Sequence, residues 1–363
     1  MSRNRVRRID KGLIRRVWRE RNFGDRFKEL LQGEVRLERR SMTCIKDSYK
    51  SSIWKLVVKS DVKRIRVILK ISKQLRRPRP ESTVERNIYR KARKILQPFM
   101  PQIYLTKRNV NGRDLWVFME YIEPIQGRVE YGPQHFKQII PLLAKLHAST
   151  MNERFAKQER VFRDWLPHHQ SDEAKKERRR INRETRSYLR QAMKVPELRG
   201  LLQPHEALLR KLLAKGPGYF PEVTREGLSV THGDLHTENI ASNQLNKPNW
   251  QIKLIDWEGA KYAPCWYDLV YLVGVFLAYR REWQEEEEAI TERAVRLYVD
   301  EMKRHGIEFK TDGMTLYRMA YLKRILERGL YLQLKWAVSG QKEAKLLPVY
   351  LQKIKSLSGM LVK

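Results

Sequence analysis

The apolar positions of this chain fall into short runs in its first third and longer ones after it. Val35 to Arg40, Ile53 to Lys59 and Arg64 to Ile71 read as strands, the last rich in β-branched residues. After Pro78 and Pro80, Ser82 is a candidate N-cap for a helix from Thr83 to about Leu96, closed by Pro98. Leu115 to Ile122 reads as a buried strand that leaves through Glu123-Pro124 into an extended link, and Asn111-Gly112 before it signals a hairpin turn. Trp250 to Ile255 alternates and then turns apolar just before Asp256, as a buried strand ending on a carboxylate would. Leu269 to Ala278 is the longest apolar run; it is too short to cross a bilayer and reads as a core helix. Arg178 to Lys194 fits a surface helix with a narrow inward stripe of Ile181, Tyr188 and Ala192.

Two polar strings interrupt this pattern beside short apolar stretches. Thr231-His232-Gly233-Asp234-Leu235-His236-Thr237-Glu238-Asn239-Ile240 is followed, fifteen residues after Asn239, by Leu254-Ile255-Asp256-Trp257-Glu258. A carboxylate left at the end of a buried strand is costly unless a metal or a donor satisfies it. His232, Asp234, Leu235 and Asn239 stand at the spacings of the protein-kinase catalytic loop H-R-D-L-x-x-x-N, with Gly233 in place of the arginine. Phosphoryl transfer asks a protein mainly to position groups and neutralise charge. On that reading Asp234 orients the attacking hydroxyl and accepts its proton, and His232 braces the loop. Asn239 and Asp256 hold magnesium through one neutral and one anionic oxygen.

Both strings resemble the aminoglycoside phosphotransferase and choline kinase group, whose loop reads H-G-D-x-H-x-x-N and whose metal carboxylate sits in an I-D-W-E string. Leu142 to His147 and Trp266-Tyr267-Asp268-Leu269 resemble further segments of the same enzymes. The resemblance runs from about residue 30 to 275. It implies an α+β, two-lobed protein-kinase-like fold: a small N-terminal antiparallel-sheet lobe over residues 1–120, and a large, mainly helical C-terminal lobe over 121–363. An insertion at about 151–228 would help form the acceptor pocket, with Asp164, Trp165, Trp266 and Glu258 as candidates to line it, and ATP would occupy the cleft between the lobes.

The amino-terminal third supplies the remaining parts of such a site. Val67-Ile68-Leu69-Lys70 resembles the V-A-I-K strand, so Lys70 would hold the ATP phosphates and Glu85, on the following helix, would pin it. Glu120 and Ile122 would meet the adenine edge through their backbone. The phosphate-covering stretch from Ser41 to Ser52 contains no glycine, so Ser48, Ser51 and Ser52 would have to offer hydroxyls and amides where other kinases use glycine. No G-x-x-x-x-G-K-[ST] string occurs, which argues against a P-loop enzyme.

Composition adds one unusual feature. Lysine and arginine number 75 against 42 acidic residues, a net charge of +33 over 363 residues. Basic clusters lie at Arg3 to Arg21, Arg76 to Arg79 and Lys175 to Arg180. They are scattered and belong to no nucleic-acid module, so they read as solvated faces rather than as a nucleic-acid site. The acidic run Glu285 to Glu288 precedes a helix, where it complements the dipole. Cys44 and Cys265 are too few for a disulfide framework, and neither a signal peptide nor a transmembrane segment is evident, so a reduced, cytoplasmic setting is expected. The expected activity is transfer of the ATP γ-phosphoryl group, with Mg2+, to a hydroxyl of a small molecule that is aminoglycoside-, choline- or sugar-like. The competing readings are a catalytically idle, nucleotide-binding relative with a structural role, as in a spore coat, and a protein that binds nucleic acid through its basic surface.

Overall fold

The computed structural model describes residues 9–73, 80–108 and 114–361. The basic start Met1 to Arg8, the Arg76 to Arg79 cluster and the Asn111-Gly112 turn lie outside them. The chain divides into two compact units, Met1–Arg128 with Thr237–Gly259, and Val129–His236 with Ala260–Lys363.

The first unit is built on a six-stranded antiparallel sheet. Its strands are β1 (Arg36–Leu37), β2 (Thr43–Asp47), β3 (Ser51–Lys59), β4 (Arg64–Ser72), β5 (Ile103–Arg108) and β6 (Leu115–Glu120), in the order β1-β3-β4-β6-β5 with β2 also on β3. Register sets two faces. Trp54 lies opposite Leu69, and Leu69 opposite Phe118; Ile71 lies opposite Trp116. These side chains are buried together against the amphipathic helix Lys11–Glu20, which supplies Ile14, Val17 and Trp18. Phe118 receives Trp18 and Phe23 edge-on, at 5.6 and 5.2 Å between ring centroids. The basic residues of Arg3 to Arg21 that fall on this helix share it with an anchoring apolar stripe. One position along each strand the other face begins: Ile53, Lys70 and Val117 are in register there.

Several expected boundaries move. The strand expected over Val35 to Arg40 is only Arg36–Leu37, because the chain turns at Arg39–Ser41. Part of the glycine-free stretch is a strand, β2, exposed at all five positions, so no burial pattern marked it. The helix expected from Thr83 begins at Pro80, where a proline fits the first turn, and breaks after Arg90 before a short turn at Arg93–Leu96. Ser82 is therefore inside the helix rather than its cap. The strand expected at Trp250 to Ile255 shrinks to β9 (Lys253–Leu254), paired with β8 (Ile240–Ala241).

The second unit is mainly helical. Its two-stranded ribbon pairs β7 (Leu228–Thr231) with β10 (Lys261–Pro264). Helix Phe136–Ser149 buries His147 beside Tyr298 of helix Glu287–Arg304. Acidic residues Glu287 and Glu288 occupy the first turn of the latter. The run Leu269 to Ala278 is helical and largely buried, but it passes through a π-helical turn at Val270–Val275. Helix Asp172–Ala192 buries Ile181, Leu189 and Ala192; Tyr188 is only half-buried, and Leu189 takes the place expected for it. Among the described residues no helix is long and apolar enough to cross a membrane. The fold is the α+β one expected: an antiparallel sheet in the N-terminal unit and a largely helical remainder.

Candidate active site

In the first unit, strand alternation turns Lys70 away from the aromatic core, and helix Pro80–Arg90 meets it with Glu85. Lys70 Nζ donates to Glu85 Oε1 at 2.6 Å and to Asp256 Oδ1 at 2.9 Å. Tyr89, one helical turn beyond Glu85, donates its hydroxyl to the same Oε1 at 2.8 Å. Lys70 and Glu85 are buried. Burial works against the Lys70 charge, but the two carboxylates outweigh it and raise its pKa above the ordinary lysine value.

Asp256 follows β9, and Asn239 precedes β8. The Ile255 amide donates to the Asn239 carbonyl at 2.9 Å, so the β8–β9 ladder brings the two residues onto adjacent segments. Asn239 is buried, whereas the Asp256 side chain is 42% exposed. Asp256 has φ 63°, in the left-handed region, a conformation that costs free energy and concentrates at functional sites. The donor set suits magnesium. Among the described residues no group of three or more His, Cys, Asp or Glu is arranged to hold a metal. One amide and one carboxylate oxygen are the kind of partial, hard-ligand set that Mg2+ completes with water and phosphate oxygens.

The serine turn between β2 and β3 is largely closed on itself. Ser48 N donates to Ser51 O, and Ser51 N to Ser48 Oγ, which in turn donates to Ser51 O at 3.0 Å. The amides and the hydroxyl assigned to phosphate are thus spent on the turn, which Lys73 clamps further through Asp47 and the Ser48 carbonyl. Ser52 is buried, its hydroxyl accepting from the Trp54 indole. After β6 the chain runs extended: Tyr121 O accepts from Asn243, Glu123 N donates to Asn243, and Glu123 O accepts from Ser242 N.

In the second unit, β7 delivers His232, Gly233 and Asp234. Gly233 takes φ 81°, which a residue with a Cβ avoids. The wholly buried carboxylate of Asp268 receives the His232 amide at 2.6 Å and the Gly233 amide at 2.8 Å. Its Oδ2 lies 3.2 Å from His147 Nε2, and His147 Nδ1 lies 2.7 Å from the Tyr298 hydroxyl. Burial opposes ionisation of Asp268, but the His147 and backbone hydrogen bonds prevail and hold it below the ordinary carboxylate range. Asp234 lies 3.5 Å from His236 Nε2, both side chains being more than 40% exposed. His232 is fully buried.

Of the residues singled out from sequence, Lys70, Glu85, Asn239 and Asp256 gather in one unit, and His232 with Asp234 in the other. Sequence reasoning assigned no role to Asp268, His147, Tyr89 or His236. The strings around Asp268 and His147 were visible, but a bond across 121 residues leaves no local signature. Among the acceptor candidates, Trp266 is core: it packs on Tyr298 and Phe309 at 5.1 and 4.9 Å and is fully buried. Trp165 donates its indole N–H to the Val161 carbonyl, and Asp164 is exposed.

Sheet, helices and catalytic-loop geometry together define a kinase-like phosphotransferase fold. The chain belongs to the Phosphotransferase enzyme family (APH), which it matches over residues 55–304. Similar solved structures span nearly the whole chain. An ethanolamine kinase from Plasmodium vivax is 13% identical, with 98% of this chain and 96% of that one covered at a TM-score of 0.51. A choline kinase from Cryptosporidium parvum is 14% identical, covering 97% of each at 0.58. The GDP and kanamycin complex of an APH(2") enzyme is 12% identical, covering 93% and 99% at 0.51. At such identities the likeness is one of fold. No curated protein matches the sequence.

Proposed function

We propose that this chain is an ATP- and Mg2+-dependent kinase of small-molecule alcohols. The observation that carries the reading is the Lys70 ammonium shared between Glu85 and Asp256. A buried lysine held by a helix carboxylate is set to receive phosphate oxygens, and the second carboxylate is at hand for a metal. Asn239 and Asp256 would hold the magnesium, which when bound neutralises charge on the phosphates. The Glu120 carbonyl and Ile122 amide would take the adenine edge. Asp234 accepts the proton of the acceptor hydroxyl as its oxygen bonds to the γ-phosphorus; the bond to the β,γ-bridging oxygen breaks and ADP leaves. Asp268 fixes the loop backbone so that Asp234 stands in a set place. Family membership supports the class of reaction, and neighbours named as ethanolamine and choline kinases, with one bound to kanamycin, support a small-molecule acceptor.

The test is phosphate incorporation from ATP into a panel of alcohols. Asp234→Asn should abolish turnover yet still bind nucleotide. A variant that keeps wild-type turnover, or a wild-type protein that binds no nucleotide, would refute the reading.

A further inference from the structure

The second unit holds a cationic cluster that the catalytic machinery does not use. Lys261 opens β10 in register with Thr231, whose hydroxyl donates to the Lys261 carbonyl at 3.0 Å. Thr231 lies three residues before Asp234, so this strand pair places Lys261 beside the catalytic loop. Its ammonium lies 5.9 Å from the Tyr267 ring, and Tyr267 is the neighbour of the loop anchor Asp268. The Arg324 guanidinium stands over the same ring at 5.2 Å and over Tyr271 at 4.0 Å.

Cations outnumber carboxylates in the cluster, where Glu327 and Asp268 act on Lys261 against the Arg324 and Arg328 charges. Glu327 is already spent: it accepts from the Tyr267 hydroxyl at 2.9 Å and pairs with Lys323 at 3.3 Å and Arg178 at 3.8 Å. Among the described residues, neither Lys261 nor Arg324 has a carboxylate within 4 Å. Burial, then the Arg324 and Arg328 charges, pull the Lys261 ammonium down to about 8. Burial and the nearby cations, Arg178 first, push His169 down to about 2. Cations packed together in a partly dry place repel one another, and an anion removes that cost. Two tyrosine faces hold Arg324 in advance, and its fork of N–H donors suits a carboxylate or a phosphate. The cluster also draws on two π-helical turns, Tyr271 from Val270–Val275 and Glu327 from Ile325–Gly329, and such turns recur at functional sites.

We propose that the acceptor is an anionic alcohol, whose phosphate or carboxylate group is bound by Lys261 and Arg324 while its hydroxyl meets Asp234. The proposal rests on the kinase reading and narrows its acceptor. It disfavours polycationic and quaternary-ammonium alcohols, which the same charges would repel.

Initial rates with ATP should be compared across matched alcohols: glycerol, glycerol 3-phosphate and glycerate; glucose, glucose 6-phosphate and gluconate; and choline, ethanolamine and kanamycin. Phosphate against carboxylate arms identify the anion. The expected result is kcat/KM at least about tenfold higher for an anionic member than for its neutral parent. Lys261→Met and Arg324→Met should each raise its KM about tenfold with kcat nearly kept, and Lys261→Arg should restore much of it. Preference for a neutral or cationic alcohol, or a KM indifferent to both variants, overturns the proposal. If no alcohol in the panel turns over, inorganic phosphate is titrated into protein saturated with a nonhydrolysable ATP analogue. Saturable binding weakened by both variants supports the proposal, and absent or variant-independent binding overturns it. Failure of the analogue itself to bind sinks the kinase reading instead, and phosphate titration of the bare protein then decides whether the anion site stands alone.

Discussion

The Gly233 amide donates to Asp268 Oδ1 at 2.8 Å, joining a residue of the catalytic loop to a carboxylate that no solvent reaches. Asp268→Asn puts an N–H2 in place of one of the two oxygens that accept the His232 and Gly233 amides. Leaving a buried donor unmet costs about 1–3 kcal/mol. We expect a lower urea midpoint and a lower kcat, with nucleotide affinity nearly unchanged because Lys70 and Asp256 belong to the other unit. Equal losses of kcat and nucleotide affinity would count against a loop-specific role.

The same carboxylate sets a pH dependence. Its folded pKa is depressed, so its stabilisation is complete above the unfolded value of about 3.9 and is lost as pH falls through the folded one. The stability gap between wild type and Asp268→Asn should therefore be constant near neutrality and close as pH drops below about 4. Urea melts over that range measure it; a gap that widened in acid would show the sign to be wrong.

Lys70→Met strands Glu85, which sits in the protein interior with Tyr89, among the described residues, left as a donor. Breaking a buried ion pair by removing one partner costs about 3–5 kcal/mol. Both stability and ATP affinity should fall. Lys70→Met with Glu85→Gln should regain much of the stability but not the affinity, and a thermal melt alongside a nucleotide titration separates the two effects.

Asp256 combines a positive φ with a carboxylate that Lys70 holds from one side. Asparagine tolerates that backbone, whereas a β-branched residue there costs roughly 1–3 kcal/mol. Asp256→Asn should keep the melting temperature within a few degrees, reduce kcat by orders of magnitude and raise the Mg2+ concentration needed for half-maximal rate. Asp256→Val should lose stability as well. An Asp256→Asn enzyme with an unchanged Mg2+ requirement would remove Asp256 from the metal site.

The two cysteines should differ in reactivity. Cys44 is exposed on β2, whereas Cys265 is buried and desolvation pushes its thiol up to about 12. The thiolate is the reactive form. A thiol reagent near neutral pH should titrate one equivalent in the native protein and two in denaturant.

The sequence alone determined the parts whose signal is local. The H-G-D and I-D-W-E strings, the strand bearing Lys70 and the helix bearing Glu85 each fit within a dozen residues, so spacing and turn chemistry were enough to find them. Edges were harder. β2 is exposed throughout, and hydrophobic periodicity cannot mark a strand that buries nothing. Tertiary structure decided what depends on distant partners. It set the bond from Lys70 to Asp256 across 186 residues, the anchoring of Gly233 by Asp268, the closure of the serine turn on itself, and the folding of Thr237–Gly259 with the first unit. It also gathered Lys261 and Arg324 onto two tyrosine rings, turning a net charge spread along the chain into a site. Charge can be counted in a sequence, but its meeting with an aromatic face arises only when the chain has packed.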